Sequence, residues 1–125
     1  MQKKILIADD EPILVEILKA RFERNYYVIT ANDGEEALTK ISAEKPDLLI
    51  LDLLMPKKTG YNVLSEIMTD GIYVEKMPKV IILSARGKEL DGGMGQRLGA
   101  DCYFVKPFQL NELEAKVAEL LKDLP

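Results

Sequence analysis

Cysteine is almost missing from this sequence, with Cys102 the single example. A lone thiol excludes an internal disulfide and a zinc site built from several cysteines, and it fits a reducing compartment. Positive charge is also short: 17 Lys and Arg face 21 Asp and Glu, a net charge of −4. Such a chain has no basic field to draw in nucleic acid or an anionic membrane, so direct nucleic-acid binding is not expected. Long apolar runs are missing too. The one in "MQKKILIADDEP" is broken by acids after four residues, too short for the core of a signal peptide, and no stretch approaches a membrane span. The expectation is a soluble, cytoplasmic protein that does not enter the membrane.

What is present points to one folded domain. The chain has 125 residues, 47% of them apolar, enough for a layered core. Aliphatic runs recur at 5–8 ("ILIA"), 48–51 ("LLIL") and 80–83 ("VIIL"), with a weaker one at 102–105 ("CYFV"). Continuous apolar character marks strands covered on both faces, as in a parallel sheet. "YYVITA" at 26–31 is more amphipathic and reads as an edge strand.

Between these runs the spacing becomes helical. Leu14, Ile17, Leu18 and Phe22 form one stripe; Ala37, Leu38 and Ile41 a second; Val63, Leu64 and Ile67 a third; Leu110, Leu113, Val117 and Leu121 the last. Asp10 is placed to cap the first helix, with Pro12 in its first turn, and Asp33 to cap the second. Repetition of βα five times predicts an α/β fold, a doubly wound five-stranded parallel (βα)5 sheet with helices on both faces.

In open α/β sheets the ligand crevice lies outside the carboxyl ends of the strands. After "ILIA" come Asp9, Asp10 and Glu11; after "LLIL", Asp52; after "VIIL", Ser84; after "CYFV", Lys106 and Pro107. Asp9, Asp10 and Asp52 would gather a charge of −3, of which Lys106 offsets +1. The remaining −2 is the complement of one Mg²⁺, a hard ion that prefers oxygen ligands and shares phosphate oxygens. A carboxylate beside Mg²⁺, a lysine and a hydroxyl is a nucleophile suited to a phosphoryl group.

Taken together, "ADDEP", "DLLMP" followed by Gly60, "LSA" and "GADCYFVKPF" resemble a response-regulator receiver domain of two-component signalling, over essentially the whole chain. The resemblance implies the flavodoxin-like strand order 2-1-3-4-5. It implies Asp52 as phosphoacceptor, with Mg²⁺ held by Asp9, Asp10, Asp52 and the backbone carbonyl of Leu54. It places Lys106 and Ser84 on the phosphoryl oxygens and makes Ser84 and Tyr103 a switch pair. It also implies a cis peptide between Lys106 and Pro107. Leu54 and Arg86 stand two residues after Asp52 and Ser84, at positions that tune phosphoryl lifetime in this family; an aliphatic Leu54 cannot orient water, which predicts slow self-dephosphorylation.

The implied partners are a sensor histidine kinase or phosphotransfer protein upstream, and downstream a protein target or an excised effector domain. The implied switching face comprises the fourth helix, fifth strand and fifth helix of the pattern. A phosphorylation-dependent homodimer through that face is open, although Cys102 replaces an aspartate common in receivers that dimerise this way. The fourth helix falls on 88–100, where Gly92, Gly93 and Gly95 each cost about 0.8 to 1 kcal/mol against alanine, so a soft helix is expected there.

Gly60 is expected to supply a backbone turn, and Lys57 and Lys58 either a solvated loop or local attraction for an anionic donor. Residues 1–125 are expected to be a single receiver domain, with no output domain before the end at Pro125. The function expected is signal transfer rather than enzymatic turnover. Two rival readings are a phosphorylation-independent receiver-like adaptor and a Mg²⁺-dependent phosphohydrolase. Against the second, "DLLMP" lacks another acid two residues on.

Overall fold

Five parallel strands, β1 (Lys4–Ala8), β2 (Tyr27–Ala31), β3 (Leu48–Asp52), β4 (Lys79–Ser84) and β5 (Cys102–Val105), form one sheet in the order β2-β1-β3-β4-β5. They belong to a computed structural model that describes residues 2–69, 77–85 and 99–122. The helices among the described residues are α1 (Pro12–Phe22), α2 (Gly34–Glu44), α3 (Gly60–Thr69) and α4 (Leu110–Leu121). The expected soft helix, with its three glycines, lies outside the described residues except at its last two positions.

The continuous aliphatic runs arise because successive residues of a strand point to opposite faces, and both faces are covered. Leu6, Ala8, Leu49, Leu51, Val80 and Ile82 enter one core, which Ala37, Leu38 and Ile41 of α2 and Val63, Leu64 and Ile67 of α3 complete. The alternate residues Ile5, Ile7, Leu48, Ile50, Ile81 and Leu83 enter the other, against Val15, Leu18 and Phe22 of α1 and Leu113, Val117 and Leu121 of α4. The edge strands are more amphipathic. Tyr27 is exposed on β2 and Tyr103 and Val105 on β5, while Cys102 and Phe104 pack inward.

Asp33 caps α2 as expected, its carboxylate accepting the Glu36 N–H at 2.8 Å. Asp10 does not cap α1. The buried Asp9 carboxylate accepts the Glu11 N–H at 2.9 Å, which tightens the turn after β1. Glu11 therefore takes the N-cap position, without a side-chain cap bond, and Pro12 begins the helix. The buried stripe of α1 also differs from the expected one: Val15 joins Leu18 and Phe22, while Ile17 is half exposed.

An acidic site at the carboxyl edge of the sheet

Parallel pairing brings the ends of β1, β3 and β4 to one edge. Asp52 lies opposite Leu83 in the β3–β4 register, and Ser84 follows Leu83. The ladder continues beyond β1 through the Asp9 N–H, which donates to the Ala31 carbonyl at 3.2 Å. Beyond β5, the Lys106 N–H donates to the Ser84 carbonyl at 2.7 Å. Asp9, Asp52 and Ser84 are buried and Asp10 is exposed. One carboxylate oxygen from each of Asp9, Asp10 and Asp52 lies within 4.8 Å of the others.

Lys106 reaches into this group from the far side of the sheet. Its Nζ donates to Asp9 Oδ2 at 2.9 Å and to Glu11 Oε1 at 3.1 Å, and lies 3.6 Å from Asp52 Oδ2. Burial alone would lower the Lys106 ammonium, but the hydrogen bonds to Asp9 and Glu11 outweigh it and hold the group above its usual range. The Asp52 carboxyl is raised as well, from the ordinary 3.8 up to about 6. Burial is the main cause and the Asp9 charge adds to it, against the opposing pull of Lys106 and the Leu54 N–H.

The loop after β3 is held close to Asp52. The Leu54 N–H lies 3.2 Å from Asp52 Oδ1, and the Gly60 N–H donates to the Leu53 carbonyl at 2.8 Å. A Cβ on Gly60 would fall 2.3 Å from the Asp52 carbonyl oxygen, so this glycine serves close approach of α3 to β3. Lys57, at φ 68°, pairs with Asp33 at 3.7 Å, and Lys58 pairs with Glu66 at 2.9 Å. Both lysines are thus tied to acids of the same chain.

Tyr103 stands opposite Ile82 in the β4–β5 register, two pairs before Ser84 and Val105, on the exposed face of β5. The Lys106–Pro107 peptide is cis. Arg86 lies outside the described residues. The site residue to which sequence reasoning gives no role is Glu11. Its place directly after the two aspartates was visible, but its bond to Lys106, 95 positions away, was not. Beside it, an apolar cleft of about 420 Å³ runs between α1 and the start of α4, lined by Leu14, Ile17, Phe108 and Leu110 together with Glu11 and Lys106.

Three carboxylates and no soft ligand suit a hard cation. Among the described residues no helix is long and apolar enough to cross a membrane.

The sequence matches the family model of the response regulator receiver domain over residues 5–118. It is 43% identical over 123 residues to the alkaline phosphatase synthesis transcriptional regulatory protein PhoP of Bacillus subtilis, covering 98% of this chain and 50% of that protein. It is 45% identical to the probable transcriptional regulator ycf27 of Guillardia theta, covering 97% of this chain and 46% of the other. The chain therefore spans about half the length of the curated relatives it matches.

Among solved structures, the receiver domain of the Francisella response regulator 1452 superposes with a TM-score of 0.87 at 34% identity, covering 96% of this chain and 97% of that one. The response regulator TrrA of Thermotoga maritima, solved in complex with Mg²⁺-BeF, superposes with a TM-score of 0.80 at 40% identity, over 95% and 99% of the two chains.

Proposed function

This chain belongs to the response regulator receiver domain family, and from that premise we propose that it accepts a phosphoryl group on Asp52 from a sensor histidine kinase or phosphotransfer protein. The observation that carries the reading is the convergence of Asp9, Asp10 and Asp52 within 4.8 Å, with Lys106 at its side. Asp9, Asp10, Asp52 and the Leu54 carbonyl would hold Mg²⁺. When bound, the ion neutralises charge on the phosphoryl oxygens and favours the ionised form of Asp52.

In the transfer, an oxygen of ionised Asp52 forms a bond to phosphorus. The bond from phosphorus to the donor's nitrogen or acyl oxygen breaks, and its electron pair leaves with the donor. The Leu54 N–H helps to fix the direction of the Asp52 carboxylate. The Lys106 ammonium and Ser84 hydroxyl are the groups assigned to the incoming oxygens. Tyr103 is the aromatic assigned to follow Ser84 inward, carrying the change to the exposed face of β5. The aliphatic Leu54 offers no group to orient water, so hydrolysis of the adduct is slow; Arg86 is assigned a further contact with the anion.

Catalysis by the chain is limited to its own phosphorylation and dephosphorylation. The phosphorylated face would act on a downstream protein or on an effector domain, in the cytoplasm and without contact between this segment and nucleic acid. Intact-mass spectrometry after incubation with acetyl phosphate, with and without Mg²⁺, tests the reading. A single adduct that requires both Mg²⁺ and Asp52 is expected; an adduct retained in Asp52→Ala, or no adduct where another receiver labels, would overturn it.

A further inference from the structure

Glu11 occupies the N-cap of α1, yet its side chain makes no cap hydrogen bond. Glutamate is not among the residues this position favours, and capping does not account for it. What its carboxylate does is take a hydrogen bond from Lys106 at 3.1 Å while staying more than half exposed, at 59%. Asp9, the other acceptor of that ammonium, is fully buried and is pinned in turn by the Glu11 N–H. Asp52 Oδ2, at 3.6 Å, lies at the margin of the ion pair and beyond a good hydrogen bond. Lys106 is thus anchored on one side by a fixed acid and drawn on the other by a movable one, with the acceptor carboxylate third.

We infer that Glu11 is a positioning residue that latches Lys106 away from Asp52 and must release it when an anion arrives there, so that Glu11 tunes how readily the site is phosphorylated and how long the phosphoryl group stays. The inference rests on the phosphoacceptor reading of Asp52. The exposed arm is the one that can let go, because moving Glu11 into solvent strands no buried charge, whereas moving Asp9 would. A phosphoryl group on Asp52 supplies the stronger acceptor for the freed ammonium. Glu11 and Lys106 also both line the apolar cleft beside α1, so the latch borders that cleft as well as the acidic site.

The test follows acetyl phosphate labelling and adduct lifetime by intact mass, with Mg²⁺ saturating, for wild type, Glu11→Gln and Glu11→Asp. Loss of one partly exposed ion pair sets the scale at about two- to fivefold. Both variants are expected to label faster and to hold the adduct longer by that factor, with melting temperatures near that of wild type. Glu11→Asp decides between latch and charge, because it keeps the charge but shortens the arm by one methylene.

Wild-type behaviour of Glu11→Asp alongside altered Glu11→Gln would show that only the local charge matters and would overturn the latch. Unchanged kinetics in both would also overturn it. Absence of an Asp52-dependent adduct in wild type would instead sink the phosphoacceptor reading itself.

Discussion

The first residue of α3, Gly60, is seated on the backbone of Asp52: a Cβ there would lie 2.3 Å from the Asp52 carbonyl oxygen and 2.7 Å from the Leu53 Cα. Both neighbours are main-chain atoms, at the end of the central strand β3 and in the residue after it, and cannot step aside alone. Gly60→Ala should therefore lower stability by about 1 to 3 kcal/mol, the range for overpacking a filled interior. Urea unfolding gives the size, and amide chemical shifts of Asp52 and Leu53 should move with it. A variant as stable as wild type, with those amides unmoved, would show that the approach is looser than described.

At the far end of α2, Lys45 sits at φ 51° and its N–H closes the helix on the Ile41 carbonyl at 3.1 Å. A left-handed residue at this point is where glycine carries no steric penalty. Lys45→Gly is expected to raise stability by roughly 0.5 to 1 kcal/mol. A drop in the unfolding midpoint would mean that contacts of the lysine side chain outweigh its backbone strain.

Much of the fold was legible because β1, β3 and β4 feed two cores at once, leaving unbroken aliphatic runs such as Ile5 to Ala8. The edge character of "YYVITA" followed from its polar positions. The strand order came from the family resemblance rather than from periodicity.

The face of α1 was misread for a physical reason. Ile13 and Ile17 extend its apolar surface beyond the stripe that the sheet covers, and Ile13 stays 78% exposed. At the site, the acids could be placed because each stands at or just beyond the carboxyl end of a strand. The Glu11–Lys106 bond and the reason for Gly60 could not, since both depend on distances set only when the chain is folded.

Lys106 neutralises an acid that has no solvent of its own. Asp9 is 0% exposed and its Oδ2 lies 2.9 Å from Lys106 Nζ. Lys106→Met should cost about 3 kcal/mol without a divalent cation, because it leaves a buried carboxylate unpaired beside Asp52. Joining it to Asp9→Asn should cost less than the two single changes together, since the stranded charge is gone. Additive losses in urea unfolding, with chelator present, would show that the pair is not energetically coupled.

Asp52 gives the sign of the pH dependence. Its carboxyl moves from 3.8 to about 6 on folding in the absence of metal. Between those values the folded state keeps a proton that the unfolded chain has released, so this group makes stability fall as pH rises through the window. Above about 6 the penalty is complete, and the displacement corresponds to about 3 kcal/mol at most. Asp52→Asn cannot ionise but keeps an oxygen for the Leu54 N–H. It should therefore melt above wild type at neutral pH in chelator, and the gap should close as pH falls below 3.8. Mg²⁺ should raise the melting temperature of wild type more than that of the variant, because it offsets a repulsion that only wild type carries. The comparison needs four melts, each protein with chelator and with Mg²⁺ at neutral pH, and a repeat in acid. If the asparagine variant melts below wild type in chelator at neutral pH, the attraction of Lys106 exceeds the burial and Asp9 penalties, and the direction argued for Asp52 is wrong.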